Sequence, residues 1–179
     1  EGDVWHVHWQ AENDDRGVYQ TRYLILGTDS PNTKKILMES PAMKQTASSF
    51  YWPRGTGNVV IRVWFDRQPD PVPEGGIFSG DFITHNFFWL HKLQNQYMRW
   101  NQETGGSVIE VHIYGPQELF AEQDATLLAR AIQDIQSAFP EMRGHRVHQI
   151  IQRNDATHTL PGIGSVDQHL GIETPWENL

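Results

Sequence analysis

The chain has 179 residues, of which 38% are hydrophobic and 11% aromatic, enough for one buried core and a composition that argues against disorder. Its 22 acidic residues outnumber 14 basic ones, and the formal charge of -8 argues against an electrostatic grip on nucleic acid or anionic lipid. The absence of cysteine removes disulfides, thiolate nucleophiles and cysteine-ligated metal sites, and leaves the redox compartment open. There is no signal-peptide pattern and no apolar run near the roughly 20 residues that span a bilayer, so any membrane contact is expected to be peripheral.

Asp3 to Trp9 and Val18 to Leu26 flank the polar turn Glu12-Asn-Asp-Asp-Arg-Gly17 and predict a hairpin, with Gly17 suited to positive φ. The second strand ends in the apolar run Tyr23-Leu-Ile-Leu-Gly-Thr-Asp29. Ser30-Pro31 then opens a helix to about Ser40 as a cap and first-turn pair. Asn58 to Asp66 is rich in β-branched and aromatic residues and predicts a strand, which the loop Gln68 to Gly76 stops. Ile77 to Phe88 reads as a further strand. From Trp89 the period changes, with Leu90, Leu93, Tyr97 and Trp100 at helical spacing up to Glu103. Ser107 to Tyr114 alternates as a strand and Gly115-Pro116 breaks it. Leu119 to Phe139 carries Leu127, Leu128, Ala131, Ile132 and Ile135 on one helical face, with Pro140 closing it. His145 to Gln152 predicts the last strand, and an extended loop follows. The fold class expected is α+β, a mixed open β-sheet covered by about three helices.

The side chains offer few catalytic constellations. Phe78, Phe82, Phe87, Phe88, Trp89 and Tyr97 suit either a core or the wall of a cavity for a long hydrocarbon. His85, His91 and His112 fall near strand ends, where each could act as a general base, orient a polar group or simply be a hydrogen-bonded structural histidine. Glu110 is the carboxylate nearest the aromatics, and its strand position also suits pairing with a neighbouring arginine. His6 and His8 share a strand face and with a remote third ligand such as His112 could hold a metal, although no metal site is expected. Gly162-Ile-Gly164 neither follows a strand nor opens a helix, so it reads as a turn and not as a phosphate cradle. No Gly-x-Ser-x-Gly elbow is present.

The order of these elements, with Asn86-Phe-Phe-Trp-Leu-His91, Trp100, Gly105-Gly-Ser-Val-Ile-Glu-Val-His-Ile-Tyr-Gly-Pro116 and Pro175-Trp-Glu-Asn-Leu179, resembles the FAD-dependent amine oxidase superfamily. The resemblance is greatest to the carotenoid branch of phytoene and carotene desaturases. It implies that residues 1–40 are a hairpin and helix of the FAD domain, 41–153 a substrate-binding domain, and 154–179 a return loop toward the FAD domain. Phe82, His85, Phe87, Phe88, Trp89, His91, Tyr97 and His112 would then face the substrate, while Gly27, Thr28, Asp29, Gly162, Pro175 and Trp176 would lie on the cofactor side. The family's Gly-x-Gly-x-x-Gly fingerprint has no match, and the run from Thr159 to Leu179 looks like the approach to a further Gly-Asp strand. The expectation is therefore the middle of a larger flavoenzyme, with FAD in the parent protein and none bound to this piece. The implied activity is desaturation or isomerisation of a hydrophobic isoprenoid substrate, by a cytoplasmic or peripherally membrane-associated enzyme. A non-catalytic domain binding a hydrophobic ligand or a protein, and a histidine-ligated metal enzyme, are the alternative classes.

Overall fold

The structure, a computed structural model, describes residues 4–71, 73–160 and 173–179. The chain divides into two compact units, Glu1–Gly55 with Thr159–Leu179, and Thr56–His158. In the first unit, β1 (Trp5–Gln10) and β2 (Arg16–Thr21) pair antiparallel. The positive φ of their turn falls on Asp14, at 66°. Gly17 lies inside β2 opposite Trp9, where a Cβ would stand 2.7 Å from the indole ring. Glycine is required there for close approach and not for a left-handed turn. Strand pairing ends at Thr21, five residues short of the expected Leu26, because the Thr21 hydroxyl donates to the Tyr23 carbonyl and the Leu24 N–H turns away to the Asn178 carbonyl.

Helix α1 (Ser30–Glu39) starts one residue earlier than a Ser30 cap would give. Asp29 is the cap, accepting the Asn32 N–H at 2.9 Å, and Pro31 sits in the first turn. A single turn, α2 (Lys44–Ala47), follows, and Leu37, Met43 and Ala47 form a small core with Trp5, Leu26, Trp52 and Trp176 packed on it.

The second unit is built on a five-stranded sheet in the order β4-β5-β6-β3-β7, from β3 (Arg54–Phe65), β4 (Gly75–Ile77), β5 (Asn86–Trp89), β6 (Ser107–Ile113) and β7 (Arg146–Leu160). The pairs β3–β6, β5–β6 and β4–β5 are antiparallel. Helices α3 (Leu90–Leu93), α4 (Asn95–Thr104) and α5 (Asp124–Ala138) complete the unit, with a 3-10 turn at Gln117–Ala121 ahead of α5. Of the five α-helices among the described residues, α1, α4 and α5 are ten residues or longer. The helix expected from Trp89 is broken at Gln94, which adopts extended angles between α3 and α4.

Alternation decides where the core lies. Val59, Ile61, Val63 and Phe65 of β3, Ile109, Val111 and Ile113 of β6, and Phe87 and Trp89 of β5 all point to one face and are buried. They meet Leu127, Ala131, Ile132 and Ile135, the apolar stripe of α5. At about 1.5–3 kcal/mol for each such side chain removed from water, this layer dominates the stability of the unit.

The expected strand Ile77 to Phe88 is instead two short strands around a loop, and a long-range contact is the reason. The buried carboxylate of Asp134 on α5 accepts from the N–H of Ile83 at 3.0 Å, the N–H of Thr84 at 3.0 Å and the Thr84 hydroxyl at 2.8 Å. Those donors are thereby withdrawn from any strand ladder. Replacing Asp134 with Ala strands two backbone donors and a hydroxyl, and we expect urea unfolding to show a loss of about 2–4 kcal/mol. Asp134→Asn, which keeps one acceptor oxygen, should lose about half of that or less.

Candidate functional site

The face of the sheet opposite α5 carries the other parity of residues. In the β3–β6 register Val60 lies opposite His112, Arg62 opposite Glu110, and Trp64 opposite Val108. From β5, Asn86 lies opposite His112 and Phe88 opposite Glu110. The result is a row of polar groups in the middle strand, walled by aromatic rings.

The polar row is a continuous hydrogen-bonded chain. Arg62 Nε donates to Glu110 Oε2 in a tight ion pair, and an Arg62 terminal nitrogen donates to Tyr97 Oη at 3.2 Å. The other carboxylate oxygen, Oε1, lies 3.0 Å from His112 Nε2, and His112 Nδ1 lies 2.7 Å from Tyr114 Oη. The Glu110 side chain is only 13% exposed. The His112 hydrogen bond first, and then the Arg62 hydrogen bond and charge, outweigh burial and hold the carboxyl below the usual glutamate range. It is therefore an anion at neutral pH, with both oxygens engaged.

Rings stand around this row. Phe88 meets the His112 imidazole edge to face at 5.7 Å, and His85 meets Tyr114 at 5.7 Å. Trp64 lies between Tyr97, at 6.3 Å, and His148 of β7, at 5.0 Å. Such a surface offers apolar contact around one fixed, internally neutralised polar line.

The residues singled out from the sequence divide across the sheet. Phe88, Tyr97 and His112 lie together on the polar face. Phe87 and Trp89, adjacent in sequence to Phe88, point the other way into the α5 core, where Phe139 packs on both. His91 is buried as well. Its Nδ1 accepts the Val108 N–H at 3.4 Å, and burial pushes its imidazole below the ordinary histidine value. Phe82 stacks on Phe78 at 5.1 Å in the loop that Asp134 holds. His85 is exposed, and its Nδ1 accepts the Tyr114 N–H at 3.3 Å. Arg62 and Tyr114 belong to the polar row although sequence reasoning did not single them out. The available signal was Glu110-x-His112-x-Tyr114, three polar residues at strand period.

On the cofactor side, Gly27, Thr28 and Asp29 lead into α1. Both Asp29 carboxylate oxygens are committed to Asn32, one to its N–H and one to its side-chain amide. An anionic cap on these donors leaves the first turn of α1 unfit for a pyrophosphate. A Cβ on Gly27 would meet nothing within 4 Å, so open space adjoins it. Trp176, after Pro175, packs edge to face on Phe50 at 5.7 Å. Gly162 lies outside the described residues. His6 and His8 belong to the first unit, and no group of three or more histidine and carboxylate side chains disposed for a metal occurs among the described residues. No described helix is long and apolar enough to cross a membrane.

Comparison with known proteins gives the chain a context. It is 30% identical over 127 residues, 68% of its own length, to a carotenoid phi-ring synthase of Chlorobaculum tepidum. It is 26% identical over 171 residues, 90% of its length, to a carotenoid phi-ring synthase of Streptomyces griseus. The chain spans 19% and 32% of these relatives. Among solved structures it superposes on reduced UDP-galactopyranose mutase with a TM-score of 0.63, at 14% identity, covering 90% of this chain and 34% of that one. No protein-family profile matches.

The buried titrating groups fix an acid limit. Glu110 has a folded value below its ordinary 4.5, so its stabilising contribution is complete above that pH and is lost as pH falls toward the lowered value. Buried His91 works in the same direction at higher pH. The unfolded chain takes up this proton near 6.5 and the folded chain resists it, so stability declines as pH falls below 6.5. Denaturant midpoints measured from pH 8 to pH 3 should therefore fall in two stages. His91→Gln should flatten the upper stage and Glu110→Gln the lower one.

Proposed function

Sharing its fold with the FAD-dependent amine oxidase superfamily and its sequence with carotenoid phi-ring synthases, this chain, we propose, supplies the substrate-binding part of a FAD-dependent oxidoreductase that acts on a carotenoid or a similar isoprenoid. The observation that carries the reading is the two-faced sheet. One face is closed by α5, and the other presents Trp64, Phe88 and Tyr97 around a fixed polar row. A long polyene matches such a surface because it gains from area removed from water and has no hydrogen bonds to satisfy.

In this reading the unit Thr56–His158 is the substrate domain, and the hairpin with α1 belongs with the cofactor domain. FAD in the parent enzyme supplies the two-electron chemistry, and its phosphates are held by residues other than the first turn of α1. Gly27, Thr28, Asp29, Gly162, Pro175 and Trp176 remain the cofactor-side residues of the proposal. The contribution of the polar face is to bind and orient the hydrocarbon and to keep water from it.

Parity gives a direct test. Phe88→Ala should weaken polyene binding to the complete enzyme by roughly tenfold or more, read from quenching of tryptophan fluorescence, with a small effect on stability. Trp89→Ala should do the reverse, costing about 3–5 kcal/mol of folding stability through the cavity it leaves in the core. An absorbance spectrum between about 350 and 500 nm should show a bound flavin in the complete enzyme. Absence of flavin there, or polyene affinity indifferent to Phe88, would overturn the assignment.

A further inference from the structure

We propose that Tyr114, His112 and Glu110 form a proton relay on the substrate face, with the Tyr114 oxygen as the atom that accepts a proton from the substrate. This deepens the carotenoid reading and rests on it. Glu110 and His112 occupy alternate positions of β6 and Tyr114 is the first residue past its end, and two successive hydrogen bonds set the three side chains in a line.

The direction of the hydrogen bonds follows from the acceptor at one end. An ionised carboxylate cannot donate, so the proton between Glu110 Oε1 and His112 Nε2, 3.0 Å apart, belongs to the imidazole. A neutral imidazole protonated on Nε2 has its lone pair on Nδ1. In that neutral tautomer, which the proposal assigns to His112, the Tyr114 phenol, 2.7 Å away, is the donor to it. Arg62 on the second carboxylate oxygen keeps Glu110 from rotating out of this arrangement. The order of roles is that of a nucleophile–base–orienter triad, with a phenol as the outermost group.

The relay accounts for the proton alone. The substrate C–H bond breaks and its electron pair becomes the new C=C bond, the partner hydride leaving the adjacent carbon for the two-electron acceptor, a flavin, of the parent enzyme. The proton passes to Tyr114 Oη as the original phenol proton passes to His112 Nδ1. The imidazolium that results lies against the Glu110 carboxylate, which stabilises it. Among the described residues, the charged and titratable groups at His112 are Glu110 on its own strand, Tyr114 just past the end of that strand and Arg62 from β3, with His85 beyond Tyr114. Tyr114 is the catalytic residue of the proposal, while His112 and Glu110 are positioning residues behind it.

Two measurements test it. On this chain, nitrogen NMR of the histidine rings should show His112 as the Nε2–H tautomer at neutral pH, and Glu110→Gln should abolish that preference. In the complete enzyme, Tyr114→Phe, which keeps the ring, should lower kcat for carotenoid conversion at least 100-fold while polyene affinity stays within threefold of wild type. His112→Gln should remove the pH dependence of kcat that the wild type shows. An Nδ1–H tautomer, or a Tyr114→Phe enzyme with unchanged kcat and normal polyene binding, overturns the relay and leaves the substrate reading standing. Failure of the wild-type enzyme to bind a polyene overturns both.

Discussion

The seven-residue register between β3 and β6 is the constraint on which the rest of the second unit depends. Side chains alternate across a sheet, so a slip of one residue would carry Glu110 and His112 into the α5 core and expose Ile109, Val111 and Ile113. Burying the Glu110 carboxylate and the His112 ring without their partners costs several kcal/mol for the ion alone, and the slipped pairing is excluded on that ground. The turn from α4 into β6 fixes the same register locally. Gly105 ends α4 with a φ of 71°, and a Cβ on Gly106 would stand 2.4 Å from the Trp100 ring and 2.5 Å from the Phe65 carbonyl oxygen. Only glycine allows the chain to reverse that close to β3, so strand β6 begins at Ser107 opposite Phe65.

Elements whose pattern is local were legible in the sequence. The β-branched run of β3, the alternation of β6 and the apolar stripe of α5 each carry their own period, and each forms close to where that period places it. What was hidden depends on partners distant in sequence. Nothing between Ile77 and Phe88 announces that Asp134, some fifty residues later, will take the amides of Ile83 and Thr84. Similarly, the apolar run after Thr21 looks like more strand, but its Leu24 amide is claimed by Asn178.

The candidate site was half legible for the same reason. Grouping Phe87, Phe88 and Trp89 as one lining neglects the period-2 parity that separates Phe88 from its two neighbours once Asn86–Trp89 is a strand. Glu110 was recognisable as a carboxylate awaiting either a ligand or an arginine. That the arginine is Arg62 needed the register, which no single strand encodes. Conversely, Glu110, His112 and Tyr114 alternate along β6 and onto the residue just past its end, and the row was available to parity reasoning alone.

The energetics of that row bear on what it is for. Its members satisfy one another, so it does not weaken the fold greatly, but satisfied polar networks in half-buried positions are poor stabilisers. Apolar residues of similar volume in their place are often neutral or better. The opposite face of the same three strands shows what folding alone selects here, an unbroken layer of Val, Ile, Phe and Trp. A second such layer would have suited a hydrocarbon equally well if apolar contact were the whole requirement. An arginine, a glutamate, a histidine and two tyrosines were placed in the middle of it instead, linked so that each hydrogen bond orients the next. Neither packing nor hydrocarbon binding calls for them, whereas the movement of a proton at a defined atom does.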